Sequence, residues 1–212
     1  MTASGMHKGK FITVEGVEGV GKSTNINFIA TYLRQRGQTV VTTREPGGTA
    51  VAEQIRDVLL HSDGAVSDVC ELLLMFAARA SHLQELIIPA LARGDWIVCD
   101  RFTDASYAYQ GGGRGLPDED IRRLETLVQE SLSPDLTLLL DAPPEVTAGR
   151  RRERGMTDRF EAEQTEFFER VQAKYRELAL KNPVRIKVID ASANLENVEQ
   201  RLATTLDSLL NI

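Results

Sequence analysis

Apolar positions along the chain follow two periods, and the switches between them mark out its elements. Residues 11–15 (Phe-Ile-Thr-Val-Glu) form a short β-prone run, and 24–35 places Ile26, Ile29 and Leu33 at helical spacing. A second extended run, 38–43, ends in the turn cluster Arg44-Glu45-Pro46-Gly47-Gly48-Thr49. From Thr49 the positions Val51, Ile55, Val58 and Leu59 predict an amphipathic helix ending near His61. Asp68 and Glu71 have the spacing of a capping box. They open a mostly buried helix through Phe76 and Arg79, followed by a helical stretch over 81–93 in which Pro89 predicts a kink. Residues 96–100 are apolar enough for a central strand, and 138–141 is another apolar run that also ends in aspartate. Between them, Gly111-Gly112-Gly113-Arg114-Gly115 predicts a flexible loop. After it comes a helix from Pro117 with Ile121, Leu124, Leu127 and Val128 inward.

The remainder continues the alternation. A helix is predicted from about Glu145, and a long one over 163–181 with Phe167, Phe168, Val171 and Tyr175 on its apolar face. A fifth strand is predicted over 185–190, and a closing helix over 194–210 with Leu195, Val198, Leu202, Leu206 and Leu209 or Leu210 inward. Strand and helix in alternation predict an α/β fold with a doubly wound parallel sheet, whose ligands gather at the C-terminal edge of the strands.

Composition narrows the picture. With 212 residues, 42% of them hydrophobic and 26% charged, the chain suits one domain, here 10–212, with an ample core. A net charge of −6 argues against a protein that coats nucleic acid. Cys70 and Cys99 are too few for a disulfide framework and each lies in an apolar segment, so both are expected as reduced core residues of a cytoplasmic protein. No apolar run reaches the ~18 residues of a membrane helix. Residues 1–9 are expected to be a disordered lead-in. His61 and His82 have no partner at metal-site spacing and are expected at the surface.

The chemistry centres on Gly16-Val17-Glu18-Gly19-Val20-Gly21-Lys22-Ser23, a complete G-x-x-x-x-G-K-[S/T] pattern between a strand and a helix. Its glycines let backbone N–H groups wrap a polyphosphate, and the helix N-terminus adds partial positive charge. Residues 16–23 with Thr24 are the expected ATP-binding stretch; Lys22 reaches the outer phosphates and the Ser23 hydroxyl ligates Mg²⁺. Arg44, at a strand tip beside a Gly-rich turn, either grips a second anion or pairs with Glu45. Asp100 suits a water-mediated Mg²⁺ contact and is favoured over Asp141, because Arg101 beside it can clamp phosphate whereas Asp141 has the setting of a helix cap. Phe76 is core by default, yet with Arg79 on the same helix face it could hold a planar base. Ser106 and Tyr109 add hydroxyls three residues apart. The run Arg150-Arg151-Arg152-Glu153-Arg154 is either a solvated charge run or a lid, about 148–159, that supplies the arginine which the phosphate loop lacks.

Together, Gly16 to Ser23, Arg44-Glu-Pro-Gly-Gly-Thr49, Phe76-Ala-Ala-Arg79, Asp100-Arg101 and Tyr109-Gln-Gly-Gly-Gly-Arg-Gly115 resemble bacterial thymidylate kinases, in order and spacing across nearly the whole chain. The resemblance implies a P-loop NTPase fold with a five-stranded parallel sheet flanked by helices on both faces and a short Arg-rich lid. It also implies a homodimer, a cis peptide at Glu45-Pro46, and transfer of a phosphoryl group from ATP to dTMP with Mg²⁺. By similarity Phe76 stacks on thymine, Arg79 bonds its carbonyl edge, Ser106 meets its N3 side and Tyr109 lies under the deoxyribose. Glu18 receives the 3′-hydroxyl, Arg44 and Arg101 hold the 5′-phosphate, and Pro46 and Gln110 complete the substrate pocket. Lys22 and Arg101 act in catalysis with one of Arg150, Arg152 or Arg154. A kinase for another nucleoside monophosphate or for a deoxynucleoside is the nearest rival. A GTPase would need an Asn-Lys-x-Asp stretch, which the sequence lacks.

Overall fold

The first strand, β1 (Phe11–Glu15), is buried along its whole length and pairs on both sides with parallel partners. A computed structural model describes residues 9–62, 64–154, 160 and 163–210, with the backbone alone for 151–154. Among these, β1, β2 (Val40–Arg44), β3 (Trp96–Asp100), β4 (Leu136–Asp141) and β5 (Ile186–Asp190) form one parallel sheet in the order β2-β3-β1-β4-β5. Because β1 sits centrally, its carboxyl end has the tips of β3 and β4 as neighbours, with Val14 in register with Asp100 and Glu15 with Leu139. Such an edge between oppositely directed crossovers is where ligands bind in open parallel sheets.

Successive side chains of β1 point to opposite faces. Ile12 and Val14 enter a large cluster with Ile26, Ile29 and Leu33 of helix α1 (Lys22–Gln35). The same cluster takes Phe167, Val171 and Tyr175 of α8 (Thr165–Lys181) and Val198, Leu202 and Leu206 of α9 (Leu195–Leu210). Phe11 enters a second cluster with Ile97, Leu83, Ile87 and Leu91. The chain is helical from α3 (Asp68–His82) through a π-helical stretch, Leu83–Ile87, into α4 (Ile88–Arg93). Pro89, where a kink is predicted, therefore follows a widened turn that already disturbs the i→i−4 ladder, and the dihedrals stay helical across the junction.

Several expectations are corrected. Ser67, not Asp68, caps α3, its hydroxyl accepting from Cys70 N, and Glu71 is buried in a different role described below. Cys99 is buried, but Cys70 lies exposed on the first turn of α3. On α2 (Ala50–His61) the buried residues are Ala52 and Leu59, whereas Val51 and Val58 are exposed. On α6 (Asp118–Gln129) Ile121 is buried and Leu127 is 75% exposed. Leu195 is also exposed, and Asn194 caps α9 by accepting from Asn197 N. Asp141 caps no helix: its carboxylate accepts from Gln172 (2.6 Å) and Arg176 (2.9 Å) of α8, and α7 (Pro144–Arg154) begins beyond it.

The stretch predicted as a flexible loop is helical and closely packed. After α5 (Thr103–Ser106) a π-helical segment, Tyr107–Gly113, lies against α8. A Cβ on Gly113 would stand 2.5 Å from the Phe167 ring, so glycine is required by close packing rather than by mobility. Gly9 is buried and donates to Leu91 O, while residues 1–8 of the expected lead-in lie outside the described residues, as do 155–159 of the expected lid. No helix among the described residues is long and apolar enough to cross a membrane.

Candidate active site

The phosphate-loop pattern sits where β1 ends. Gly16 has φ 136°, and a Cβ there would meet Leu140 O at 2.5 Å, so only glycine allows the loop to leave the sheet so tightly against β4. Gly21, with φ 97°, opens α1. No side chain caps that helix and no acidic residue occupies its first turn, so its positive end faces the loop uncompensated. Lys22 is buried and its Nζ donates to Gly16 O at 3.2 Å; Ser23 and Thr24 are exposed at the helix start. Burial, with Arg101 second, lowers the Lys22 pKa, against the pull of Asp100, Glu18 and Glu15.

Arg101 follows β3 with φ 68°, a left-handed backbone that is uncommon for arginine. Its Nη2 lies 2.8 Å from Glu18 Oε1, 2.8 Å from the Tyr109 hydroxyl and 3.3 Å from Gly16 O. Tyr109 closes the triangle by donating to Glu18 Oε2 at 2.6 Å. Burial opposes a charge on Glu18, but Arg101, Lys22 and the Tyr109 hydroxyl outweigh it and hold the carboxyl below its usual pKa. Asp100 Oδ1 and Arg101 Nε are buried without a hydrogen-bond partner among the described residues. Behind this corner, Glu15 accepts from Phe102 N (2.7 Å) and lies 2.7 Å from the Tyr175 hydroxyl. Full burial, reinforced by Asp104, lifts the Glu15 pKa from 4.5 to about 8.

A cleft with about 530 Å³ of free space, partly open to solvent, runs from this corner toward α3. Glu18, Arg101 and Tyr109 line one end. Along it stand Arg79, Ser106, Gln110 and Pro46, with Met75, Leu60 and Phe160 as apolar walls. Arg79 is fully buried and its Nε donates to Glu45 Oε2 at 2.7 Å. Its Nη2 donates to Phe102 O and Ser106 Oγ, and Nη1 has no hydrogen-bond partner among the described residues. Gln110 donates to Glu71, which is also held by Arg114. Arg56 lines the cleft too and donates to Pro46 O, and the Glu45–Pro46 peptide is cis.

A family model described as thymidylate kinase matches residues 14–202. The thymidylate kinase of Methylococcus capsulatus is 56% identical over 205 residues, covering 97% of this chain and 98% of that protein. That of Teredinibacter turnerae is 54% identical, covering 95% and 99%. The crystal structure of thymidylate kinase from Ehrlichia chaffeensis superposes with a TM-score of 0.77 at 32% identity, covering 93% of this chain and 98% of that one. The chain belongs to the thymidylate kinase family.

Within this thymidylate kinase fold the expected residues divide into three groups. Glu18, Pro46, Arg79, Arg101, Ser106, Tyr109 and Gln110 converge on the cleft. Lys22 adjoins it through Gly16 and the field of Arg101, and Asp100 lies at the neighbouring strand tip with an unpartnered oxygen, whereas the rival Asp141 is consumed by α8. Arg44 is not paired with Glu45; its Nη2 donates to both carboxylate oxygens of Glu53, at 2.8 and 3.0 Å, and it does not line the cleft. Phe76, expected to stack on the base, is buried. Its ring packs with Leu72 and Ile121 beneath the Arg79 guanidinium, and of α3 the residues that line the cleft are Arg79 and its neighbour Met75. One residue is a rotation of about 100° on a helix, enough to exchange core for cleft. Arg150 donates to Ala191 O at 3.4 Å, beyond β5, and the side chains of Arg152 and Arg154 lie outside the described residues.

The sequence reading also missed Glu15, Glu45 and His82. Glu15 carried a signal, a carboxylate within an apolar strand, and His82 stands one helical turn from Arg79. His82, expected at the surface, is fully buried.

Because the Glu15 pKa is raised on folding, the folded state holds a proton that the unfolded chain releases. This contribution to stability is complete below pH 4.5 and is lost as pH rises through about 8. Glu15→Gln should therefore flatten the decline between those values, measured as urea midpoints across pH. An unchanged slope would mean that the carboxyl is charged in the folded protein.

Proposed function

We propose that this chain transfers the terminal phosphoryl group of Mg²⁺-ATP to dTMP, giving ADP and dTDP. The observation that carries the reading is the joining of the phosphate loop to the strand-tip arginine through Glu18, with a buried Arg79 nitrogen left unpartnered along the same cleft. The loop backbone and Lys22 take the triphosphate, and Arg101 takes the acceptor phosphate. Glu18 receives the 3′-hydroxyl with its remaining lone pairs, and Tyr109 lies under the sugar. Ser106, Gln110 and Pro46 frame the base, Arg79 donates to its carbonyl edge, and Met75 supplies the apolar face. Arg44 joins the phosphate seat by exchanging Glu53 for it.

Ser23 and Asp100 would hold Mg²⁺, Asp100 through water; its unpartnered oxygen fits that role, and the ion supplies charge neutralisation between phosphates. The protein's part is positioning and electrostatics. The acceptor is already an anion and needs no strong base, so the barrier lies in bringing two polyanions together, which the guanidinium groups and Lys22 offset. An arginine from 150–154 completes the shell around the moving phosphoryl.

We further propose a cytoplasmic homodimer. Exposed Val51 and Val58 on α2, Val69 and Leu73 on α3 and Leu127 on α6 lie on three helices packed side by side, and burial against a second copy would remove them from water.

An ADP-release assay with dTMP, dUMP, dCMP, dGMP and AMP tests the activity. dTMP should lead, with dUMP weaker by roughly 10–200-fold, the worth of one methyl group. Turnover led by another monophosphate would overturn the reading. Alanine at the essential one of Arg150, Arg152 and Arg154 should lower kcat by about 10³-fold with little change in dTMP binding. Near-normal turnover in the triple variant would remove the lid. Leu73→Asp should shift the molar mass measured by light scattering from dimer to monomer; a native chain of monomer mass would refute the assembly.

A further inference from the structure

The buried histidine on α3 has both ring nitrogens engaged. Its Nδ1 lies 3.0 Å from Glu45 Oε1 and its Nε2 2.7 Å from the Thr43 hydroxyl. A carboxylate accepts, so Nδ1 is the nitrogen that donates to Glu45, and Nε2 meets the Thr43 hydroxyl. The ring fills a slot between strand and turn. A Cβ on Gly48 would stand 2.6 Å from two of its ring atoms and 2.6 Å from Thr43 Oγ1. His82 thus fastens the end of β2 and the Glu45-Pro46-Gly47-Gly48 turn to α3.

Glu45 then has one oxygen for each neighbour: Oε1 for His82 and Oε2 for Arg79 Nε. A carboxylate free to turn would take a guanidinium side-on through Nε and Nη2 together, the usual two-pronged geometry. Here Nη2 is instead spent on Phe102 O (3.2 Å) and Ser106 Oγ (3.1 Å). Those bonds set the plane of the guanidinium, and they leave Nη1 as the nitrogen without a protein partner on a side chain that lines the cleft. We propose that His82 is a positioning residue for base selection. By withholding one Glu45 oxygen from Arg79, it keeps the guanidinium oriented so that Nη1 remains a donor to a pyrimidine carbonyl. This rests on the reading of the cleft as a thymine-selective site.

The consequence is discrimination. A donor at Nη1 matches the 4-carbonyl of thymine and opposes the 4-amino group of cytosine, which also donates. If the guanidinium turns, that distinction weakens while the ATP site is untouched.

The test uses two variants of similar size and polarity. Asparagine places an amide nitrogen where Nδ1 sits, and glutamine places one where Nε2 sits. His82→Asn can keep Glu45 occupied; His82→Gln keeps only the Thr43 contact. Full-length protein is assayed for KM and kcat with dTMP and dCMP, for KM with ATP, and for Tm. The expected result is a 10- to 100-fold fall in the dTMP:dCMP preference for His82→Gln, about the worth of one hydrogen bond to a charged group. It should arise mainly in KM for dTMP, with KM for ATP unchanged and most of the preference restored in His82→Asn. A purely structural histidine would lower Tm in both variants alike and leave the preference unmoved, which overturns the proposal, as does an equal loss of preference in both. Wild-type protein that uses dCMP as readily as dTMP would instead overturn the functional reading, and this inference with it.

Discussion

The pairing of Arg101 with Glu18 is the contact on which the site depends. It joins a loop built for polyphosphate to the tip of the adjacent strand, and it does so inside a corner where Lys22, Asp100 and Glu15 are close enough to perturb one another. A guanidinium can serve there because it stays charged when buried, whereas the Lys22 amine is pushed toward its neutral form. Glu18 does two things at once. It keeps the two cations from confronting each other unshielded, and with Tyr109 it fixes the direction of the Arg101 fork.

Behind that pair stands a layer of buried polar groups that the chemistry does not touch. Glu15 accepts the Phe102 amide immediately after the left-handed Arg101 residue, so a carboxyl under the sheet edge stabilises an unfavourable backbone above it. Glu45, held in turn by His82 and through it Thr43, fixes the side chain of Arg79. Gln110 is aimed by Glu71, which Arg114 also holds. Arg79, Arg101 and Gln110 are thus each held by a partner from a distant segment, and buried polar networks of this kind are stable only when nearly every group is paired. Among the described residues the unpartnered buried atoms are Asn25 Oδ1 on α1 and Arg79 Nη1, Arg101 Nε and Asp100 Oδ1; the last three belong to the cleft and the strand tip beside it, where a ligand would supply the missing partner.

An acidic protein that handles anions is consistent with this layout. The net charge of −6 is a property of the whole surface. At the C-terminal edge of the sheet the balance is local, with Lys22, Arg101, Arg79 and Arg56 gathered by strand and helix ends, and the uncapped start of α1 adding to them. Close partners in a low-dielectric cleft outweigh distant carboxylates screened by water and salt.

Much of this was determined by sequence alone. The alternation of extended and helical runs specified five parallel strands and their flanking helices, because the two periods are local consequences of backbone geometry. The phosphate loop was equally legible, since its glycines are demanded by backbone conformation and its lysine by fixed spacing. Other features depend on neighbours remote in sequence and emerge only in the folded chain. Phe76 and Met75 exchange core and cleft by a single helical step, and α6 is what claims Phe76. Asp141 is taken by α8, and Arg44 by Glu53. His82 is buried because strand and turn close over it, which no local pattern encodes. The glycine run 111–113 has the composition of a loop, but the rings and backbone of α8 make it a tightly packed segment. Periodicity shows which face of an element is apolar; only packing shows which polar groups share a buried pocket, and here those pairings set the chemistry.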